Sequence, residues 1–372
     1  MKRNNKKWEK SHFFDFLCEL KKLYKIKWKY FFHFIFFNCC VILSVVKIVN
    51  ILDFKENIND KDINLVIDTL NSNDIVVIPT DTVYGIGASI KSSLALEKLY
   101  KVKNRDKNNR INMLVSSKEM AKEYVTNYNE ICDKLIDSFW PGALTIVFKK
   151  NENVPNIITA NSDTVGIRMC DNIVTNKIIK SLGLPLAVPS ANKSGRPSGT
   201  NIEDIINDFK NEISLYVDYG SSNIGIESTI VEIIDNESVK LLRKGKITKE
   251  EIEKLGIRVI ESNDLENRKH YKINIKTINV DSVEKANEII TENGNKKIAI
   301  VGFEEDIRNI KIGSNIDIYN LKSVCNMEYA MKNIYVFLRQ IESKKYDLCI
   351  LISPERKNSS EWIIRVFKEA GK

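Results

Sequence analysis

Lys103 and Arg105 lie two residues apart and could together hold a phosphate group. A guanidinium binds phosphate oxygens as a planar fork, whereas an ammonium binds them as a point charge. The same cations, with Arg110 close by, could instead offset the dipole at the C-terminus of a helix. The K-x-R spacing therefore predicts either a phosphate clamp or an ordinary helix end.

Two further polar segments could contribute to such a site. Residues 189–198, P-S-A-N-K-S-G-R-P-S, follow a short apolar run and contain hydroxyl, amide and glycine groups that can donate hydrogen bonds to a polyanion. A solvent-exposed loop would have a similar composition. Residues 227–229, E-S-T, interrupt a strand-like run and form either the exposed face of a strand or the wall of a pocket.

The element that must position these segments is predicted at residues 75–88, I-V-V-I-P-T-D-T-V-Y-G-I-G-A. The β-branched run at its start predicts a strand buried on both faces of an α/β sheet, ended by Pro79. Residues 80–84 then form a polar loop, and such loops carry the ligands of open α/β sheets. Gly85 and Gly87 allow a sharp turn or a close approach to another group. An ordinary strand-to-helix turn is the alternative.

The composition limits the classes of protein and of site. With 372 residues, 43% hydrophobic and 28% charged, the chain can form two domains with proper cores. Its seven cysteines are scattered without a C-x-x-C pair, which predicts a reduced, cytoplasmic protein without structural zinc. Only three histidines occur, so a multi-histidine metal site or a catalytic triad is hard to build. Neither G-x-G-x-x-G nor a Walker-type phosphate loop is present.

The net charge of +8 is unevenly distributed. Residues 1–45 hold ten Lys or Arg and three Asp or Glu, whereas the other 327 residues hold 47 and 46. The bulk of the protein is therefore close to neutral. This argues against nucleic-acid binding, which needs a cationic field over the binding domain.

Residues 1–45 form a basic and apolar N-terminal extension. An apolar run at residues 30–46 is at the short limit for a membrane-spanning helix. Its basic flank would make it an anchor that exports the remainder, which conflicts with a reduced protein. We favour the alternative that Val46 is the true start and that the extension is an artefact of the gene model. Intact-mass measurement of the native protein tests this, because a species starting at Met1 would contradict it.

The pattern of apolar residues predicts an α/β protein. Helices are expected near residues 63–71, 92–102 and 201–209, with short strands between them. The first domain spans residues 46–256. A polar linker follows at 257–294, with one short helix expected near residues 283–290. Residues 295–372 show a β-α-β-α order, which predicts a small parallel sheet.

The order of the motifs along the first domain resembles that of the threonylcarbamoyl-AMP synthase family, which has the YrdC-like fold. The resemblance covers residues 58–256 and rests on P-T-D-T-V-Y-G-I-G-A, K-N-R, F-W-P-G-A-L-T, V-G-I-R-M, P-S-A-N-K-S-G-R-P-S-G-T, G-I-E-S-T-I-V and L-R-K-G. Residues 335–339 and 363–370 look like the extra C-terminal domain of longer members. The resemblance implies a twisted open mixed sheet with helices, then a linker and a smaller Rossmann-like α/β domain.

The resemblance also implies an activity. Family members condense L-threonine, bicarbonate and ATP, which would come with Mg²⁺, into threonylcarbamoyl-adenylate and pyrophosphate. A separate tRNA threonylcarbamoyl-transferase complex then modifies adenosine 37 of tRNA. The amine of threonine would capture CO2 or bicarbonate, and the resulting carbamate would displace pyrophosphate from the α-phosphorus. The protein's task would be positioning and charge neutralisation.

Residue roles carry over by motif position. Lys103 and Arg105 would be the catalytic residues, gripping the phosphates. The expected ATP-binding set is Lys103, Arg105, Asn109, Pro141, Ser190, Asn192, Thr200, Arg243 and Tyr271. The expected threonine-binding set is Thr82, Thr145, Ser190, Ser228 and His270. His270 and Tyr271 stand where longer members carry a His-Tyr pair on a linker that folds over the active site as a lid.

The chain departs from the family pattern at several positions. The departures are Asp106 in place of Pro, Arg110-Ile111 in place of Pro-Leu, Leu114 where many members have a threonine-contacting His, and Ala143 in F-W-P-G-A in place of Pro. The P-G-M that precedes the His-Tyr pair is also absent. We expect the phosphate grip to be retained, whereas these changes affect the lid and the threonine end of the pocket.

Two other functions fit the same fold. One is a carbamoyl-phosphate-dependent carbamoyltransferase domain, but the acylphosphatase segment and paired-cysteine zinc fingers of such proteins are absent from the sequence. The other is an RNA- or ribosome-binding module, which would bind duplex RNA with a salt-dependent affinity. The near-neutral charge of residues 46–372 argues against the second.

Overall fold

The computed structural model of the protein describes residues 49–261, 273–354 and 361–371. These residues belong to one compact unit. The N-terminal extension, the proposed start at Val46 and the expected lid residues His270 and Tyr271 lie outside the described ranges. Within those ranges, every helix is too short or too polar to cross a bilayer.

Eleven strands form the larger sheet of the described chain. They are β1 (Asn50–Asp53), β2 (Val76–Ile78), β3 (Gly85–Ser89), β4 (Met113–Leu114), β5 (Leu144–Lys149), β6 (Thr164–Arg168), β7 (Leu186–Ala187), β8 (Leu215–Asp218), β9 (Thr229–Ile233), β10 (Ser238–Arg243) and β11 (Arg258–Glu261). Their spatial order is β1-β8-β2-β3-β7-β4-β6-β5-β9-β10-β11. Parallel and antiparallel pairs both occur, so the predicted open mixed sheet is confirmed.

Helices cover this sheet. They are α1 (Asp60–Asn71), α2 (Ser93–Lys103), α3 (Lys118–Lys122), α4 (Glu130–Phe139), α5 (Asn156–Thr159), α6 (Ile173–Leu182), α7 (Ile202–Phe209) and α8 (Lys249–Glu253). The side chains of Asn59, Ser92, Asn172 and Asn201 each accept a hydrogen bond from a backbone N–H in the first turn of α1, α2, α6 and α7. Such N-caps satisfy donors that the helix itself leaves unpaired.

Strand β2 is buried on both faces, as its sequence predicts. Val77 packs in one apolar cluster, whereas Val76 and Ile78 pack in another. Successive side chains of a strand point to opposite faces, so the two clusters lie on the two sides of the sheet. The central strand is therefore fixed from both sides and gives a rigid start to the polar loop that follows it.

The second domain is a four-stranded parallel sheet within the described residues, which confirms the prediction from the β-α-β-α order. Its strands are β12 (Thr277–Val280), β13 (Ile298–Gly302), β14 (Ile316–Asn320) and β15 (Leu348–Ile352), in the order β12-β15-β13-β14. Its helices are α9 (Val283–Glu292), α10 (Glu304–Ile307), α11 (Met327–Ser343) and α12 (Glu361–Ala370). Alternate residues of β13 pack in two apolar clusters, one on each face.

Gly85 begins a strand rather than a turn. Strand β3 pairs antiparallel with β2, and a Cβ atom placed on Gly85 would lie 2.2 Å from Val188 Cγ1. The sequence allowed either a sharp turn or a close approach to another group at Gly85, and the structure shows a close approach to Val188. Glycine has no side chain to contribute to the pattern of apolar and β-branched residues, so that pattern did not predict strand β3.

Much of the segment 257–294, predicted as a linker, forms regular structure. Its first residues form β11 of the larger sheet, and β12 joins the smaller sheet. Helix α9 confirms the short helix expected near residues 283–290. Both strands lie at a sheet edge and bury few side chains. An edge strand therefore carries too few apolar residues to be distinguished from a polar linker by its pattern.

Candidate functional site

A cavity of about 830 Å³ lies in the first domain, where several loops meet. Thr82, Lys103, Ser190 and Arg243 all line it, although they are far apart in the sequence. This volume is in the range of pockets that hold cofactors and other small molecules.

The residues between β2 and β3 form one wall of the cavity. Thr80 Oγ1 donates to the carbonyl oxygen of Val83, and it lies 3.0 Å from Thr82 Oγ1. Tyr84 OH donates to the carbonyl oxygen of Gly220 over 2.6 Å. These bonds hold the loop in a single shape, so the Thr82 hydroxyl has a defined position on the cavity wall.

Arg168 fixes Thr82 from the neighbouring part of the sheet. Its Nη1 donates to Thr82 Oγ1 over 2.7 Å, its Nε donates to the carbonyl oxygen of Gly142 over 2.8 Å, and its Nη2 pairs with Asp81. Arg168 and Asp81 are both buried. Their ion pair places a neutral but strongly polar group beside the cavity.

Lys103 is the last residue of α2, and its ammonium is buried against backbone oxygens. Nζ donates to the carbonyl oxygens of Ser190 and Asn192 and lies 3.5 Å from Asn192 Oδ1. Among the described residues, it forms no ion pair with a carboxylate. Burial, followed by the nearby charge of Arg105, lowers the pKa of Lys103 well below its usual range. The ammonium thus holds the loop after β7 and gives that side of the cavity a positive charge.

Arg105 lies beyond the left-handed residue Asn104, which ends α2. Its Nη2 donates to the carbonyl oxygen of Arg110 over 2.7 Å, and its Nε donates to that of Asn109 over 3.3 Å. The chain after α2 therefore folds around the guanidinium. Burial lowers the pKa of Arg105, and both Arg105 and Asn109 line the cavity.

The loop after β7 is held together by its own side chains. Ser190 Oγ donates to Asn192 Oδ1 over 2.6 Å, and Asn192 Nδ2 donates to the carbonyl oxygens of Lys193 and Arg196. Its backbone is tied to the first wall because Ala191 N donates to the carbonyl oxygen of Tyr84. The loop after β7 and the loop that carries Thr82 therefore meet.

Ser228 links two other predicted residues. Its hydroxyl lies 2.8 Å from Thr145 Oγ1 and accepts a hydrogen bond from Arg243 Nη2 over 3.0 Å. Burial lowers the pKa of Arg243 to about 10, and the guanidinium also donates to the carbonyl oxygen of Ser228. Ser228 and Glu227 line the cavity, so residues 227–229, which could have been an exposed strand face, contribute to a pocket wall instead.

Most of the predicted site residues with described positions meet in this cavity. Those that line it are Thr82, Lys103, Arg105, Asn109, Thr145, Ser190, Asn192, Ser228 and Arg243. Of the other two described ones, Thr200 is buried beside the cavity without lining it, and Pro141 follows Trp140 through a cis peptide bond and also lies outside the lining. The predicted ATP-binding and threonine-binding roles of all these residues, and of His270 and Tyr271, stay predictions.

Sequence reasoning assigned no binding role to four charged residues that line the cavity: Arg168, Arg196, Glu227 and Glu369. The first three lie within quoted motifs, V-G-I-R-M, S-G-R-P-S and G-I-E-S-T, so the signal was present. Glu369 lies in α12 of the second domain, and no local pattern marks it. Burial raises the pKa of Glu369 to about 7.

Metal binding by the protein alone has no support in the described part of the chain. No group of three or more His, Cys, Asp or Glu side chains there could hold a metal ion. The cavity lining contains two carboxylates, those of Glu227 and Glu369, and both accept a hydrogen bond from Arg365.

The fold and the site define a two-domain α/β protein with a cavity lined by hydroxyls and cations, suited to an anionic small molecule. Residues 68–245 match the Sua5/YciO/YrdC family model, described as telomere recombination. A putative threonylcarbamoyl-AMP synthase of Methanocaldococcus jannaschii is 32% identical over 202 residues, which cover 54% of this chain and 94% of that protein. The chain therefore belongs to the Sua5/YciO/YrdC family.

Longer relatives match over part of their length. The threonylcarbamoyl-AMP synthases of Pyrococcus abyssi and Bacillus subtilis are 35% and 39% identical, over 55% and 52% of this chain. The alignments cover 60% and 56% of those proteins, less than two thirds of their length. The crystal structure of P. abyssi Sua5 complexed with L-threonine is similar with a TM-score of 0.78 and 27% identity, covering 87% of this chain and 98% of that one.

Proposed function

We propose that this protein is a threonylcarbamoyl-AMP synthase, which condenses L-threonine, bicarbonate and ATP into threonylcarbamoyl-adenylate and pyrophosphate. The observation that carries the proposal is the meeting of Thr82, Lys103, Ser190 and Arg243 in one cavity of about 830 Å³. The names of the P. abyssi and B. subtilis relatives support the same activity.

The nucleotide would bind on the side formed by α2 and the loop after β7. Arg105 would contact the phosphates with its guanidinium, and Lys103 would add a buried positive charge behind the loop. Ser190, Asn192 and Arg243 would hold the rest of the nucleotide. Since all three donors of Lys103 Nζ have oxygen partners, its effect on phosphate would act through space and through the loop that it holds.

Threonine would bind at the end formed by Thr82, Thr145 and Ser228. A zwitterionic amino acid carries no net charge, and the adjoining Arg168–Asp81 pair is also neutral overall. Hydroxyl groups at this end can donate to the threonine carboxylate or accept from its amine. Leu114, where many family members have a His, also lines the cavity and would leave the threonine end more apolar.

The chemistry would need little proton transfer from the protein. The ammonium of threonine would first lose a proton to water. The free amine would then attack CO2 and release a second proton, or attack bicarbonate and release water, to give a carbamate. A carbamate oxygen would then attack the α-phosphorus of ATP and expel pyrophosphate. Mg²⁺ would enter with ATP, balancing the phosphate charge. The protein's residues would hold the two reactants in line and neutralise charge on the phosphates, which are large contributions to catalysis.

The product would be a labile mixed anhydride. We infer that a tRNA threonylcarbamoyl-transferase complex consumes it to form N6-threonylcarbamoyladenosine at tRNA position 37. A reactive acyl-adenylate is useful only to an enzyme that transfers the acyl group before hydrolysis.

The test is incubation of the full-length protein with radiolabelled bicarbonate, L-threonine, ATP and Mg²⁺. We expect label in an acid-labile adenylate and release of pyrophosphate, both of which require threonine. Omission of threonine is the control. Failure to form the adenylate would contradict the proposal, and salt-dependent binding of duplex RNA in its place would favour an RNA-binding module.

A further inference from the structure

The second domain contacts the two loops that carry Thr82 and Ser228. Val83 and Ile226 are buried in an apolar cluster whose other buried members, apart from Ile273, come from the second domain. The two loops also bind each other, because the N–H groups of Ile224 and Gly225 donate to the carbonyl oxygens of Asp81 and Thr82 over 2.8 and 2.9 Å. A shift of the second domain would therefore move both loops.

Gly225 brings the backbone of α11 against the second loop. A Cβ atom at this position would lie 2.5 Å from the carbonyl oxygen of Met331 and 2.6 Å from Lys332 Cα. Gly225 also has φ +87°, a left-handed conformation that favours glycine. Helix α11 thus packs directly on the main chain three residues before Ser228.

Glu227, the neighbour of Ser228, is bound by two side chains of the second domain. Its Oε2 accepts hydrogen bonds from Tyr335 OH over 2.5 Å and from Arg365 Nη2 over 3.2 Å, and its Oε1 accepts from Ser198 Oγ over 2.9 Å. Burial would raise the pKa of Glu227, but the charges of Arg365 and Arg243 lower it to about 2. Glu227 is therefore a buried carboxylate whose charge depends on its partners.

Arg365 also contacts the chain on the other side of the Ser228–Arg243 pair. Its Nε donates to the carbonyl oxygen of Lys244 over 3.1 Å, and its Nη1 donates to Glu369 Oε1 over 3.0 Å. One guanidinium thus holds the residue before Ser228 and the residue after Arg243. A planar fork with several donors can do this, whereas a lysine ammonium cannot reach the same acceptors in the same geometry.

We propose that Arg365 and Tyr335 are positioning residues of the site: through Glu227 and Lys244 they set the positions of Ser228 and Arg243. The second domain thereby determines how well the cavity of the first domain binds threonine and nucleotide. This inference rests on the proposed synthase activity for its kinetic consequences, whereas the positioning itself is a property of the protein.

A second ion pair between the domains provides an internal comparison. Arg339 of α11 donates to Asp208 Oδ2 over 2.9 Å and to the carbonyl oxygen of Pro197. It stabilises the same domain interface but contacts neither Glu227 nor Lys244. If the second domain acts only by packing against the first domain, loss of Arg339 and loss of Arg365 should change the KM for threonine equally.

The test compares Arg365→Gln, Tyr335→Phe and Arg339→Gln in the full-length protein. We expect R365Q to raise the KM for threonine ~10-fold, with a smaller rise for Y335F, because a misplaced site residue lowers binding and rate. R339Q should lower Tm without raising that KM. Arg308→Gln, which removes an exposed pair with Glu304 in the same domain, is the matched control for loss of an arginine.

Hydrogen exchange provides a readout that does not depend on activity. We expect R365Q, but not R308Q, to increase amide exchange in residues 224–228 and 242–245. Unchanged exchange there would overturn the proposal, as would a KM effect equal to that of R339Q. If the wild type forms no adenylate, the proposed function fails, and the exchange comparison still decides the positioning role.

Discussion

Lys103 and Arg168 are buried cations on the wall of one cavity, with 1% and 6% of their surfaces exposed, but their charges are balanced differently. Arg168 pairs with the carboxylate of Asp81, whereas Lys103 binds neutral carbonyl oxygens. An arginine–carboxylate pair has little net charge, whereas no carboxylate among the described residues offsets the charge of a protonated lysine held by carbonyl oxygens. The comparison teaches that charge compensation, rather than residue type, distinguishes the proposed phosphate end of the cavity from the proposed amino-acid end.

The largest effect is expected at the ion pair between Arg168 and Asp81. Arg168→Gln would leave Asp81 buried without its counter-charge, and we expect the free energy of unfolding to fall by ~3–5 kcal/mol. Urea unfolding at pH 7 measures this. The double variant R168Q/D81N should recover much of the loss because it buries no unpaired charge, and an equal loss in both proteins would contradict the assignment.

Removal of the phosphate-end cations is expected to act mainly on rate. Lys103→Ala and Arg105→Ala should each lower adenylate formation by ~10² or more, because each removes charge stabilisation near the reacting phosphates. Lys101→Ala, which changes an exposed lysine two residues earlier in α2, is the matched control. Full activity in both variants would show that these two cations take no part in the reaction.

The pH dependence of the KM for ATP should also distinguish the proposed phosphate end of the cavity from the proposed amino-acid end. Because burial lowers the pKa of Lys103, its charge is lost as the pH rises through that lowered value, and the KM for ATP should rise there. Lys103→Arg, which stays charged, should flatten the rise. Between the lowered pKa and the ordinary lysine pKa of 10.5, the unfolded chain binds one more proton than the folded protein. This group therefore makes the unfolding free energy rise with pH in that window. An ATP profile that is the same in both proteins would contradict the assignment.

The smallest effect is expected at the hydroxyl pair. Thr145→Val removes one hydrogen bond to Ser228, which corresponds to ~1 kcal/mol, or roughly a fivefold rise in the KM for threonine. The KM for ATP should change less. Thr277→Val, at a hydroxyl that bonds the backbone within the second domain, serves as the control. A larger rise in the KM for ATP than in the KM for threonine would show that the two ends of the cavity are assigned the wrong way round.

The sequence predicted the parts of the site that local pattern encodes. The apolar run of β2, the polar loop after it and the K-x-R end of α2 each lie within a few consecutive residues, so their types and spacing are visible in the chain. That they share one cavity followed from the rule that loops at one edge of a sheet meet. The order of the motifs then indicated the family.

The remainder depends on contacts between distant residues. Arg168 lies in an apolar strand, and its partner Asp81 is 87 residues away, so nothing local reveals the ion pair. Glu369 reaches the cavity from another domain. The glycine-rich strand β3 is specified by the space beside Val188 rather than by β propensity, which apolar periodicity does not detect.

The packing of Val83 and Ile226 into the second domain has a consequence for truncated forms of the protein. Cleavage that removes the second domain would leave these apolar side chains at the rim of the cavity without cover. Uncovered apolar surface of this kind promotes self-association. The isolated first domain would therefore be prone to aggregate.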